Sequence, residues 1–208
     1  MKKFFTAVPL QHRPEGLVRL SYQAVGSSAL QMEEPTSFPI LTAVNGYVQP
    51  GEDFRLIAVM AGSDAARRNR EELSVQLEEL CGRRGLTCSG GVETVLAEGS
   101  QAVAGHAATF LKLLDYVADG DELFVCMTFG TKPLSQAIML AAQYAHRVKR
   151  NASISCVVYG EVDRSQSQAP SGRVYDMTAL IQLDEIVHLL AQRGVADPRG
   201  ALDAILSQ

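Results

Sequence analysis

An apolar run, Leu123 to Met127, leads straight into Thr128-Phe-Gly-Thr-Lys132, and Pro133 opens a helix directly behind it. A buried strand that turns into a helix over so few residues leaves the turn at the strand's carboxyl end, where the helix N-terminus faces it. Pro133 suits the first helical position, because the N–H that proline lacks has no intrahelical partner there. The remaining free N–H groups favour negative charge. Gly130 allows close approach to the backbone, Thr128 and Thr131 offer hydroxyls, and Lys132 supplies the counter-charge for a phosphate or a carboxylate. The same residues also suit an ordinary strand-to-helix turn with a solvated lysine.

The rest of the chain repeats the alternation. Lys3 to Val8 suits a first buried strand or a buried irregular segment, and Leu17 to Val25 an extended piece or outlying hairpin. Ser37 is placed to cap a helix over Phe38 to Val48. Phe54 to Ala61 reads as a buried strand, and Gly62-Ser63-Asp64 as a turn and cap. A helix follows over Ala65 to Cys81, with Leu73, Leu77 and Leu80 on one face and Gly82 near its end. Val92 to Leu96 reads as a short strand, and Ala102 to Val117 as a helix with a stripe of Val103, Phe110, Leu113, Leu114 and Val117. Beyond the opening motif, Pro133 to Arg150 is a long helix and Ser153 to Tyr159 another strand. Glu161 to Gly172 reads as a polar loop, Arg173 to Asp176 as a brief extended piece, and Ala179 to Gln192 as a helix. Asp197 caps a last helix that opens at Pro198.

Strands alternating with helices predict an α/β domain with right-handed crossovers and a mostly parallel sheet, helices on both faces, and a small C-terminal helical extension. Ligands of such sheets sit outside the carboxyl ends of the strands, where the Thr128 to Lys132 turn falls. Residues 1–160 are expected to form the main domain, and 161–208 a polar loop and helices packed on it or extending it.

A net charge of -4 gives no general attraction to duplex DNA or to anionic membranes, so any phosphate has to be held locally. The arginines at 67, 68 and 70, and Arg147, Lys149 and Arg150, read as solvated helix faces. Cys81, Cys88, Cys126 and Cys156 show no Cys-x-x-Cys spacing and read as reduced and structural. No apolar run reaches the roughly 20 residues of a membrane span, and no signal-peptide segment stands at the start, so a cytoplasmic location is expected. No clustered His or Cys suggests a metal, and no cofactor is expected. The dinucleotide Gly-x-Gly-x-x-Gly fingerprint is absent, and Thr131 stands between Gly130 and Lys132 where a Walker loop has Gly-Lys.

The order of elements and the motif together resemble CARF domains, the CRISPR-associated Rossmann-fold sensors of cyclic oligoadenylate, in the branch with an Asp-x-Thr-His-Gly motif. Thr128, Gly130, Thr131 and Lys132 match the turn of related sensors, which often reads Asp-x-Thr-Gly-Gly-Thr-Lys. Tyr159-Gly160 and Tyr175-Asp-Met-Thr178 follow in the family's order. The likeness covers most of the chain from Phe54 onward. Cys126 and Phe129 depart from it, standing where the family has aspartate and His or Gly; Phe129 suits either stacking on an adenine or packing in the core.

The resemblance implies a Rossmann-like fold, a homodimer, and a cyclic adenylate in a shared cleft of a type III CRISPR signalling system. The ligand-binding residues it implies are Thr128 to Lys132, with Gly62, Ser63 and Asp64 as a second loop. One expectation is a metal-independent ring nuclease, in which a ribose 2′-hydroxyl attacks the adjacent phosphate, Lys132 stabilises the developing charge and Thr131 orients the phosphate. The sequence offers no clear general base. The other is a non-catalytic sensor acting through a partner protein, and a third reading assigns another nucleotide. No effector domain is visible: none of His12, His106, His146 and His188 follows an arginine at the spacing of a HEPN ribonuclease.

Overall fold

The computed structural model describes residues 1–11, 16–99, 102–163 and 171–207. Its centre is β1 (Lys2–Ala7), with β3 (Asp53–Met60) and β5 (Glu122–Cys126) paired parallel on either side. Phe4 and Phe5 are both buried, because a strand covered on both faces has no solvent side to leave polar. β4 (Thr87–Leu96) adds parallel to β3, and β6 (Ser153–Asp163) parallel to β5. β7 (Ser171–Asp176) runs antiparallel to β6, and β2 (Tyr22–Val25) closes the far edge parallel to β7. The sheet order is β2-β7-β6-β5-β1-β3-β4. The chain therefore winds outward from β1 through β3 and β4, then returns to its other side at β5. That reversal opens a crevice between the loops after β1 and β5. The architecture is α/β and Rossmann-like.

The two faces have separate cores. One holds Phe4, Leu56, Phe124 and Cys156 under α1 (Ile40–Tyr47) and α2 (Asp64–Arg84), where Phe4 stacks on Phe124 at 4.4 Å between ring centres. The other holds Phe5, Ile57, Val125 and Val157 under α3 (Val103–Leu114) and α4 (Lys132–Val148). Alanines at 137, 141, 142 and 145 let α4 lie close to the sheet. α5 (Thr178–Arg193) and α6 (Pro198–Leu206) form the extension, and no described residue of either is buried. No helix among the described residues is long and apolar enough to cross a membrane.

Several local expectations need correction. Leu17 to Val25 is not a hairpin: Leu20 bridges Thr36, and β2 pairs with a strand 150 residues away. Ser37 does not cap α1. Pro39 occupies that position, while the Ser37 hydroxyl donates to Leu17 O and accepts from Gln76 on α2. Gly82 lies inside α2, which ends at Gly85 because that residue takes φ 64°. β4 begins earlier than Val92, with Gly90 and Gly91 at φ 89° and 61° near an irregularity in its register. Val103 opens α3 but is 85% exposed, so the helix's apolar stripe starts further on. Glu161 to Asp163 and Ser171 to Gly172 are strand, not loop, since β6 and β7 extend toward one another. The rest of that stretch, 164–170, lies outside the described residues.

Candidate functional site

The Thr128 turn is tied down from several sides. Thr128 Oγ1 accepts from the Gly160 N–H at 2.8 Å and lies 3.1 Å from the Cys126 sulfur. The hydroxyl thus joins β5's exit to β6. Cys126 is itself buried, and burial holds its thiol well above the usual range. A neutral thiol occupies the position where the resembled family carries a carboxylate. Phe129 is half-buried and meets Phe38 edge-on at 6.3 Å, so it packs against both cores. Gly130 has φ 93°, and a Cβ there would meet the Ala7 Cβ at 2.9 Å. Glycine is demanded by conformation and by space.

Thr131 caps α4, its hydroxyl oxygen accepting from the Leu134 N–H at 3.4 Å, and Ser135 donates to Phe129 O at 3.3 Å. The helix begins one residue earlier than expected, with Lys132 first and Pro133 second. Lys132 is exposed, and its ammonium has no hydrogen-bond or ion-pair partner among the described residues. Its charge stands beside a helix N-terminus without a carboxylate to neutralise it.

An open groove of about 390 Å³ runs between this turn and the loop after β1, lined by Pro9, Leu10, Gln11 and Thr128 to Thr131. The β1 loop has no glycine signature, yet it is fixed. Asn69 of α2, buried, donates through Nδ2 to Pro9 O at 2.7 Å and Gln11 O at 2.9 Å. Sequence reasoning missed Asn69. Its signal was present, because it falls in register with Ala66, Leu73 and Leu77 on the core-facing side of α2.

A smaller cavity of about 110 Å³ adjoins the groove, with Leu10, Gly130 and Thr131 lining both. It reaches inward to Gly62 after β3, to Glu98 and Gly99 after β4, and to His106 on α3. Of the second expected loop only Gly62 lines it. The Ser63 hydroxyl caps α2 by accepting from the Ala66 N–H, and exposed Asp64 pairs with Arg67, whose hydrogen bond lowers the carboxyl's pKa.

No family model matches this chain, and no curated protein matches it. The site has to be read from its chemistry. Among the described residues no group of three His, Cys, Asp or Glu side chains is placed to hold a metal ion. The four cysteines are unpaired. His146 sits 3.3 Å from Ala152 O and His188 beside Gln192, both away from the groove's lining, and His12 lies outside the described residues. The groove thus offers a capped helix start and polar backbone at a sheet's switch point; Lys132 does not line it but follows its lining residue Thr131 in the chain. That set suits an anionic group on an extended ligand.

Proposed function

We propose that the protein binds a cyclic oligoadenylate, through its phosphodiesters, in the groove between the β1 loop and the Thr128 to Lys132 turn. The observation that carries this reading is the unneutralised Lys132 ammonium on the first turn of α4, beside a groove that opens at the sheet's switch point. The ring-shaped ligand rests on the likeness of this turn, of Tyr159-Gly160 and of Tyr175-Asp-Met-Thr178 to CARF sensors. A homodimer fits that ligand, since a two-fold axis presents the same donors twice to a ring of repeating phosphates. Leu180, Val187, Leu189, Ile205 and Leu206, left exposed on α5 and α6, support association with a second copy.

Binding is placed before cleavage because, among the described residues, no carboxylate or imidazole lines the 390 Å³ groove to take a proton from a ribose hydroxyl. The sensor role in type III CRISPR signalling is therefore the first reading, and slow ring cleavage supported by Lys132 and Thr131 the second. Titration with cyclic tetra- and hexa-adenylate in EDTA, followed by product separation, decides between them. Intact ligand bound by the wild type, with affinity lost in Lys132→Ala at unchanged melting temperature, is the expected result. Equal affinity in Lys132→Ala removes the reading, and a linear product moves the assignment to ring nuclease. Sedimentation giving a monomer that still binds removes the shared cleft.

A further inference from the structure

The sheet ends at β2, and an edge strand offers its outward backbone groups to any extended segment that reaches it. Here those groups are already used. Ser21 O accepts from the Gly172 N–H at 3.2 Å on the β7 side, so alternation along the strand turns the backbone of Leu20, Tyr22 and Ala24 to the outer edge. Leu20 exchanges both its bonds with Thr36, each at 3.0 Å. Tyr22 and Ala24 turn instead to one side chain: Gln31 donates through Nε2 to Tyr22 O at 3.3 Å and accepts through Oε1 from the Ala24 N–H at 3.1 Å. In a parallel ladder one residue of the neighbouring strand makes the same two bonds, giving its N–H to a carbonyl and accepting from the N–H two residues further on. The amide thus stands where a peptide group of an eighth strand would stand. Its backbone is held from α1, where Asn45 Nδ2 donates to Gln31 O at 3.3 Å.

We infer that Gln31 closes the β2 edge against strand addition by a second copy of this chain, so that the sheet stops at seven strands. The edge needs closing. Val18 and Val25 are exposed beside it, and Tyr22 to Val25 contains none of the lysines or prolines that blunt other edges. A side-chain amide satisfies both outward groups and brings no further backbone that a next strand could extend. The opposite edge is closed by other means, since β4 breaks its register near Gly90 and Gly91. Association of copies is thereby left to surfaces other than the sheet edges, whichever ligand the groove takes.

The test compares the full chain with Gln31→Ala, which removes the amide, and with Gln31→Ala combined with Ala24→Pro, which also removes the donor that an added strand would need. Proline is tolerated on an edge whose N–H faces outward. Hydrogen exchange at the Ala24 amide should quicken roughly tenfold in Gln31→Ala. Sedimentation velocity over a concentration series should then show species larger than the wild type's in Gln31→Ala and none in the double variant. Gln31→Ala that sediments with the wild type overturns the inference. Larger species that persist in the double variant overturn it too, because they form without the Ala24 N–H. Should Gln31→Ala not fold, Gln31→Glu keeps the acceptor for Ala24, loses the donor to Tyr22 O, and is read by the same sedimentation criteria, alone and with Ala24→Pro.

Discussion

Replacing Thr128 by valine separates architecture from ligand contact at the centre of the turn. The two side chains have nearly the same shape, so the change removes one oxygen and little volume. That oxygen accepts the Gly160 N–H at 2.8 Å, and Gly160 is buried, with Pro39 packed so closely that a Cβ would meet its Cγ at 2.3 Å. A valine methyl takes the hydroxyl's place, so the Gly160 N–H is left facing carbon. An orphaned buried N–H costs about 1–3 kcal/mol. For a chain of 208 residues, each kcal/mol lowers the melting temperature by roughly 2–4 °C, so Thr128→Val should melt about 2–12 °C early. Thr128→Ser restores the acceptor and loses one methyl, about 0.8 kcal/mol. Differential scanning calorimetry of the three proteins reads the difference. A valine variant that melts with the wild type, while ligand affinity collapses, refutes the assignment of this hydroxyl to the joint between β5 and β6.

The buried pair of Lys3 and Asp121, 2.6 Å apart and at most 7% exposed, lies at the other end of β1 and β5 from the groove. Asp121→Asn leaves the ammonium without its counter-charge, and urea titration should show a loss of about 3–5 kcal/mol with ligand affinity per folded molecule unchanged. Burial pushes the Tyr22 phenol from 10.0 to about 12. A pKa raised by folding means the neutral form is favoured in the fold, so the stability it contributes is whole below pH 10 and is lost as pH climbs to about 12; denaturation at pH 9 and 11 should show a smaller alkaline loss in Tyr22→Phe. Asn69→Leu keeps an apolar helix face but frees the carbonyls of Pro9 and Gln11, so amide exchange at Leu10 and Gln11 should quicken and cyclic tetra-adenylate binding weaken several-fold; unchanged exchange would show that the loop stands without its brace.

How far the chain could be read depended on how local each signal was. β3 and β5 carry continuous apolar runs, Leu56 to Met60 and Leu123 to Cys126, because both their faces are covered, β1 carries only Phe4 and Phe5 between lysines and a threonine, and α4 declares itself through a threonine cap and a proline in the first turn. β2 could not be placed from its own residues, since its partner is β7 and nothing in Tyr22 to Val25 encodes a parallel neighbour so distant in sequence. The outer halves of β6 and β7 misled because Glu161 and Ser171 face solvent, which gives a strand the composition of a loop. The Thr128 to Lys132 turn was legible within five residues. The inner cavity was not, because Gly62, Gly99 and Thr131 come from three separate connections and His106 from α3, and only the folded sheet brings them together.

The loop after β1 shows why a missing motif is weak evidence of a missing role. A glycine-rich loop reaches its ligand by having no side chains in the way and gains order from its own tight turns. Here order comes from outside the loop: one buried amide on α2 holds two backbone carbonyls, Pro9 fixes its own φ, and Val8 N–H bonds Val59 O at 2.8 Å. Carbonyls drawn toward α2 leave the opposite side of the loop to line the groove. The same amide sits where a leucine would otherwise continue the helix's apolar face, so its desolvation is tolerated only because both of its donor bonds are made. A polar residue in step with a helix's buried stripe is thus a pointer to whichever loop it braces, and on α2 there are two: Asn69 under the groove, and Gln76, which holds Thr36 and Ser37 ahead of α1.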